Sequence, residues 1–235
     1  MIICSCQSKK ESGNDDNQKI KEEVQKPVIQ KIIEKTYNAT AYQQKKVVSV
    51  EIQWVNQDST VLQIFMKPDA SQNLINKNGN ALYLSNNEYF ANGEASFSQT
   101  ELKIYMQLIH IFKLPYQLND YQISSTKDSL QLDKETILTR SYSLQGKNNI
   151  TIYPHQQTDL VKAVKFEDQL TNDLYVLDKY ITVKKIPICM RLDNFQSSIN
   201  GESPQHKFLI KRITYPDQSP VDFAIPEDAQ PLQNL

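Results

Sequence analysis

The stretch that decides the fold reads Val48-Ser49-Val50-Glu51-Ile52-Gln53-Trp54, then Asn56-Gln57-Asp58-Ser59, then Leu62-Gln63-Ile64-Phe65-Met66-Lys67. Val48, Val50, Ile52 and Trp54 alternate with Ser49, Glu51 and Gln53, and Leu62, Ile64 and Met66 alternate with Gln63, Phe65 and Lys67. A period of two sends one row of side chains to a core and the other away from it. With a polar, turn-forming cluster between the runs, the pattern predicts an antiparallel hairpin. A second pair, Asn73 to Lys77 and Asn80 to Leu84, flanks Asn78-Gly79, two positions that accept the positive φ of a tight hairpin turn. Four meandering strands are expected here.

Downstream, the polar stretch Asn86 to Phe97 reads as a connection leading to Ser98-Gln99-Thr100-Glu101. That tetrad is a capping box, in which Ser and Glu each satisfy a free amide at a helix start. Leu102, Tyr105, Met106, Ile109 and Phe112, with Leu108 and Ile111 beside them, give the helix a wide apolar face until Pro115 stops it. Strand-like runs follow at Thr136 to Leu144, Asn149 to Tyr153, Leu160 to Glu167, Tyr175 to Val183, Ile186 to Phe195 and His206 to Tyr215. Their connections carry Gly146 with Asn148 and Asn149, Pro154 with His155, Asn172 with Asp173, and Asn200-Gly201 with Pro204. Upstream of the first hairpin, Val28, Ile29, Ile32, Ile33, Thr36 and Tyr37 recur at helical spacing behind Pro27, which predicts a helix from Pro27 to about Ala39.

Helix, four strands, helix and about six more strands predict a mainly β, α+β domain over residues 27–235. Its core element is one curved, unclosed antiparallel sheet with helices packed in the concave face. A closed β-sandwich is the alternative, but its two sheets fill its own core and leave no place for the wide mid-chain helix. The 235 residues, 39% hydrophobic and 23% charged, suit one such core and a tail. A formal net charge of −1 argues against a nucleic-acid partner. The 5 glycines never cluster, so no phosphate-cradling loop is present.

The N-terminus carries a separate signal. In Met1-Ile2-Ile3-Cys4-Ser5-Cys6, an aliphatic residue and two small ones precede a cysteine, as at the cleavage point of a bacterial lipoprotein. Residues 1–6 are therefore expected to be the remnant of a lipoprotein signal, with Cys6 acylated, and the charged and apolar parts of that signal are expected upstream of Met1. Residues 7–26, rich in Ser, Lys, Glu, Asn, Asp and Gln, bury too little apolar surface to fold and read as a tether. Gln7 after the cysteine resembles lipoproteins sent to the outer membrane. The other reading of Cys4 and Cys6, a metal or redox pair, lacks a matching Cys or His cluster downstream.

The order of elements resembles the LolA-like group, which spans lipoprotein-localisation factors, the lipid-binding domain of RseB-type proteins and uncharacterised lipoproteins of that shape. The matching stretches are the N-terminal helix leading to Val47-Val48-Ser49-Val50-Glu51-Ile52, the Lys67-Pro68-Asp69 turn and Asn78-Gly79-Asn80-Ala81-Leu82-Tyr83-Leu84. Further ones are Phe112-Lys113-Leu114-Pro115-Tyr116-Gln117-Leu118-Asn119-Asp120 and Asp222-Phe223-Ala224-Ile225-Pro226-Glu227-Asp228. The resemblance covers about Pro27 to Pro231 and implies a half-barrel whose apolar cavity takes acyl chains. It places Trp54, Phe65, Tyr105, Ile109 and Phe112 as candidate cavity lining, a dry core being the other fate of such residues.

Candidate chemistry is sparse. His110 lies inside the apolar helix, and His155 and His206 sit near predicted turns without a ligand pattern. There is no Gly-x-Ser-x-Gly elbow and no His-Glu-x-x-His helix. Cys189 reads as a buried small hydrophobe. The sequence thus points to a non-enzymatic lipoprotein without metal or cofactor, anchored at the outer membrane on its periplasmic side. There it binds an apolar, acyl-chain ligand or an envelope protein partner. In the alternative, purely structural role it docks an envelope protein by strand addition. An apolar cavity of several hundred cubic ångströms favours the ligand reading; a filled core with an exposed apolar patch favours docking.

Overall fold

The two alternating runs pair as the period of two requires, with Val50 opposite Ile64 and Ile52 opposite Leu62. The computed structural model describes residues 27–55, 59–69, 71–85, 88–91, 97–132, 137–146, 149–167, 172–196 and 203–232. The expected lipobox with Cys6, the tether, most of the Asn56–Ser59 turn and Asn200-Gly201 lie outside them.

In the N-terminal half, helices α1 (Val28–Thr36) and α2 (Ala39–Gln43) precede strands β1 (Val48–Val55), β2 (Thr60–Met66), β3 (Gln72–Lys77), β4 (Asn80–Ser85) and β5 (Glu88–Ala91). Helix α3 (Gln99–Lys113) and two short 3-10 turns, Leu114–Tyr116 and Leu118–Asp120, cross to the second half. That half holds β6 (Gln122–Thr126), β7 (Leu130–Gln131), β8 (Ile137–Leu138), β9 (Ser141–Gln145), β10 (Asn149–Pro154), β11 (Val161–Glu167), β12 (Asn172–Val183), β13 (Ile186–Gln196), β14 (His206–Thr214) and β15 (Gln230–Pro231). Thirteen of the described strands form one sheet in the order β15-β5-β4-β3-β2-β1-β14-β13-β12-β11-β10-β9-β6, every neighbour antiparallel. The end strands β15 and β6 do not meet, so the sheet is an unclosed half-barrel.

The inner rows, Val48, Val50, Ile52 and Trp54 on β1 with Leu62, Ile64 and Met66 on β2, join one continuous core with Ile29 and Ile33 of α1 and the apolar face of α3. Burial of that face is what holds α3 in the concavity, each buried Leu or Ile being worth about 1.5–3 kcal/mol. Its start is fixed as the sequence predicts: Ser98 Oγ accepts from the Glu101 amide at 3.2 Å, and Glu101 Oε2 accepts from the Ser98 amide at 3.0 Å. Two smaller clusters cover the outer face. Val47, Phe65, Leu74 and Phe223 pack beneath the C-terminal segment, and Leu138, Tyr153, Ala163, Leu174 and Phe195 pack beneath the β7–β8 ribbon.

The structure departs from the sequence reading at several places, and it adds β6, β7 and β15 where no strand is expected. The single helix expected from Pro27 to Ala39 breaks at Asn38, whose φ of 51° and side-chain bond to the Ala41 amide start α2 afresh. The polar stretch from Asn86 contains strand β5, too short for a visible period, and the run Thr136 to Leu144 divides into β8 and β9. Asn172 and Asp173, read as a turn, open β12 instead. The tightest hairpin of the second half turns on Lys184 and Lys185, with φ of 48° and 68°. Left-handed backbone costs a non-glycine residue about 1–2 kcal/mol; it is offset where Asn38 donates to the Lys185 carbonyl at 3.2 Å and Lys184 Nζ donates to the Tyr215 carbonyl at 3.3 Å.

Candidate functional site

Where α1, α2 and the Leu114–Tyr116 turn meet β11 to β14, the helices and the sheet leave a pocket lined by apolar and aromatic side chains. Five of these are tyrosines, Tyr37, Tyr42, Tyr116, Tyr180 and Tyr215, beside Phe112. Tyr42 stacks on Tyr116 with ring centroids 3.7 Å apart and planes 1° from parallel. Tyr37 meets Tyr116 and Tyr180 edge-on at 6.0 and 6.3 Å.

The hydroxyls are joined to the sheet by one short chain. Tyr180 donates to the Val161 carbonyl at 2.5 Å, and its proton is thereby used. Tyr37 therefore donates to Tyr180 at 2.9 Å while accepting from the Val161 amide at 2.9 Å. Tyr116 donates to the Pro187 carbonyl over a long 3.4 Å, and the buried Tyr42 hydroxyl has no partner among the described residues. Burial raises the pKa of Tyr37, Tyr42, Tyr116 and Tyr180, because desolvation penalises the phenolate. All four are neutral at physiological pH. Cys189 also lines the pocket; burial pushes its thiol up to about 12, which leaves it unreactive as a thiolate.

The cavity itself measures about 30 Å³. That admits water-sized guests and is far too small for an acyl chain. A chain would enter this pocket only if the side chains and helices that line it moved.

Two solved structures share the architecture. A LolA superfamily protein from Nitrosomonas europaea superposes with a TM-score of 0.55 at 10% identity, over 80% of this chain and 94% of its own. The fold is LolA-like. A DUF1329 family protein from Desulfovibrio piger matches with a TM-score of 0.50 at 9% identity, over 80% of this chain and 92% of its own. No family model matches the sequence, and no curated protein does.

Of the five candidate lining residues, this LolA-like sheet brings only Phe112 to the pocket. Ile109 is buried in the main core, and Trp54 and Tyr105 meet edge-on at 6.3 Å toward the other end of α3. Phe65 stands apart. It lies on the outer face with Val47, Leu74 and Phe223, because Met66 and Ile64 on either side of it take the inner row. The sequence reading did not single out Tyr42, Tyr116, Tyr180 or Tyr215; the one visible signal was an unusual 12 tyrosines.

Around Trp54 and Tyr105 the LolA-like core becomes polar. Gln107 donates to Asp173 at 2.9 Å and accepts from Tyr175 at 2.7 Å, and Lys103 pairs with Asp173 at 2.7 Å. Trp54 Nε1, Asn194 Nδ2 and His206 Nδ1 are buried there without hydrogen-bond partners among the described residues. Desolvation lowers the pKa of His206 and of His110, whose Nδ1 meets the Met106 carbonyl at 2.9 Å. His155 sits in a turn, accepting from the Gln157 amide at 3.3 Å. Among the described residues no three His, Cys, Asp or Glu side chains converge as a metal site.

Proposed function

We propose that this protein is a lipid-anchored, non-enzymatic carrier that takes an apolar, acyl-chain ligand in the concave face of its half-barrel. The observation that carries the reading is the tyrosine-lined pocket at the seam between the helical cover and β11 to β14. Around this pocket the cover rests on the sheet through aromatic faces, the hydroxyl chain at Val161 and the bonds from Tyr116 to the Pro187 carbonyl and from Asn38 to the Lys185 carbonyl, contacts that are individually weak and can be exchanged for ligand contacts. Neutral tyrosines supply broad apolar area with a polar tip, which suits an amphipathic guest. Each methylene moved from water into such a site is worth about 0.8 kcal/mol.

Acylation at Cys6 and residence on the periplasmic side of the outer membrane complete the proposal; the lipobox-like Ile3-Cys4-Ser5-Cys6 and the polar stretch behind it support them. The filled concavity, with its pocket of about 30 Å³, favours a second reading in which the protein docks an envelope protein and holds no small molecule. One experiment divides the two. Full-length protein is isolated from its native membrane under mild conditions, and its organic extract is analysed by mass spectrometry. A stoichiometric lipid beyond the covalent anchor supports the carrier; an empty protein that also fails to take up added acyl lipids supports docking. For the anchor, Cys6→Ala is expected to abolish labelled fatty-acid incorporation and release the protein from the membrane fraction, and retention of label would refute acylation there.

A further inference from the structure

The end of the molecule where the β12–β13 hairpin meets α2 gathers lysines from three separate segments. Lys184 Nζ donates to the Tyr215 carbonyl at 3.3 Å, and Lys45 Nζ lies 5.8 Å from the centroid of the Tyr215 ring. Lys46 follows Lys45, and Lys185 follows Lys184. The Lys185 carbonyl accepts from Asn38, whose own amide donates to the Lys35 carbonyl at 3.1 Å. Lys35, Lys46, Lys184 and Lys185 are exposed, and Lys45 is half-buried. Among the described residues none of the five forms an ion pair. The acidic side chains nearest in sequence are Glu34, Glu51, Asp178 and Asp217. Glu51 stands opposite Arg212 and Asp178 pairs with Lys162 at 3.8 Å. Glu34 and Asp217 are thus set against five lysines, and this end is positive on a chain whose formal net charge is −1.

The turn itself does not call for these residues. Lys184 and Lys185 sit at φ of 48° and 68°, where glycine or asparagine would reverse the chain with less strain. What lysine adds at both positions is charge, carried at the tip of a projecting hairpin. Ala163 opposite Val176 puts the start of β11 level with Asp178, and β12 runs on past it to Val183. Ile181, on this overhang, is 44% exposed.

A projecting cationic tip with an apolar residue behind it is complementary to an anionic bilayer, whose phosphates face the lysines and whose acyl boundary takes the isoleucine. The N-terminal chain leads to the same end. Nine residues of α1 carry it about 14 Å from Pro27 to the lysine group. A polar tether as long as residues 7–26 spans roughly 25 Å. An acyl group at Cys6 therefore keeps the lysines within a tether length of the bilayer, where contact becomes intramolecular and a modest charge is enough to hold it.

We infer that Lys35, Lys45, Lys46, Lys184 and Lys185 form a docking face for the anionic phospholipid surface of the membrane that holds the chain, with the Tyr215 rim of the tyrosine pocket turned toward the bilayer. This rests on the Cys6 anchor proposed above and adds the orientation of the tethered domain.

Full-length Cys6→Ala, which carries no acyl group at that position, isolates the face. It is floated with vesicles of phosphatidylcholine alone, or of phosphatidylcholine with about one-third phosphatidylglycerol. Binding to the anionic vesicles is expected to exceed binding to the neutral ones about tenfold or more, and to fade as salt rises from about 0.05 to about 0.5 M. Each lysine near such a surface is worth about fivefold, so Lys184→Gln/Lys185→Gln and, separately, Lys45→Gln/Lys46→Gln are each expected to lower binding about 25-fold. The two pairs lie on different elements, so a folding defect in one leaves the other to decide. The control pair Lys127→Gln/Lys207→Gln removes equal charge remote from the face, Lys207 standing opposite Val55 at the far end of β14, and is expected to change binding less than about twofold. Equal binding to the two vesicles, or equal losses in the control pair, overturns the docking face. Binding to neither vesicle also overturns it, and retention on immobilised polyglutamate would then assign the lysines to an acidic protein segment. Fatty-acid labelling of the parent at Cys6 reads the anchor separately: label without vesicle binding removes the face and keeps the anchor, and vesicle binding without label does the reverse.

Discussion

Lys113, the last residue of α3, is only 4% exposed. Burial lowers its pKa from 10.5 to about 7, against the pull of the Asp69 carboxylate on the turn between β2 and β3, which favours the charged form. At 1.36 kcal/mol per unit, a shift of that size corresponds to a penalty approaching ~5 kcal/mol on the protonated folded state. Lys113→Met keeps roughly the length of the side chain and removes the charge; the shifted pKa already includes the Asp69 attraction, so after repacking losses a net stabilisation of about 3–5 kcal/mol is expected at pH 6.

The sign follows from proton counts. The unfolded amine holds its proton to about pH 10.4, whereas the folded amine releases it near pH 7, so in that window the unfolded chain binds more protons and the parent gains stability as pH rises. Below pH 7 the penalty is present in full. The advantage of Lys113→Met is therefore largest at pH 6 and shrinks steadily toward pH 9.5. Urea unfolding of parent and variant at pH 6, 7.5 and 9.5 measures it, and taking the difference cancels the other titrating groups. A variant less stable than the parent at pH 6, or a gap that does not change with pH, would refute the reasoning.

Two further substitutions probe the fold around the site. Tyr175→Phe leaves the buried Gln107 Oε1 without its donor at 2.7 Å and is expected to cost about 1–3 kcal/mol in urea unfolding, with no loss from packing volume. Lys185→Gly relieves a φ of 68° while the backbone bond from Asn38 to position 185 remains, so a rise in stability of about 0.5–1 kcal/mol is expected in the same assay.

What the sequence made legible was whatever depends on local period and local chemistry. The Val48 to Met66 hairpin, the Asn78-Gly79 turn and the Ser98 capping box each follow from residues within a few positions of one another, and the structure has all three. The break at Asn38 was hidden because the apolar spacing of α1 runs on through Tyr37, and the left-handed turn is supported by the distant Lys185 carbonyl as well as by the local Ala41 amide. The Lys184-Lys185 hairpin lacked glycine or asparagine for the same reason: its tip is held from outside. At the site, helical spacing puts Phe112 on the apolar face of α3, whereas the alternation around Phe65, with apolar residues in both rows, does not say which face holds the helices. The pairing of Tyr37 with Tyr180 and of Trp54 with His206 joins residues remote in sequence, and no periodicity encodes it.

The half-barrel is two meanders joined along one seam. Strands β1 to β5 each pair with their sequence neighbour, and so do β9 to β14, yet the two meanders become one sheet where β1 pairs with β14, Glu51 opposite Arg212, while the short β15 adds to β5 at the far edge. During synthesis β1 is finished long before its second partner exists. Its open edge and the apolar row Val48, Val50, Ile52 must wait for nearly the last strand to arrive. Contacts so distant along the chain are slow to form, since the intervening loop must be closed before they reward it. The nascent N-terminal meander is thus the stage at which this protein is most exposed to wrong strand pairing, and a chaperone that shields one sheet edge would serve it better than one that encloses the whole chain.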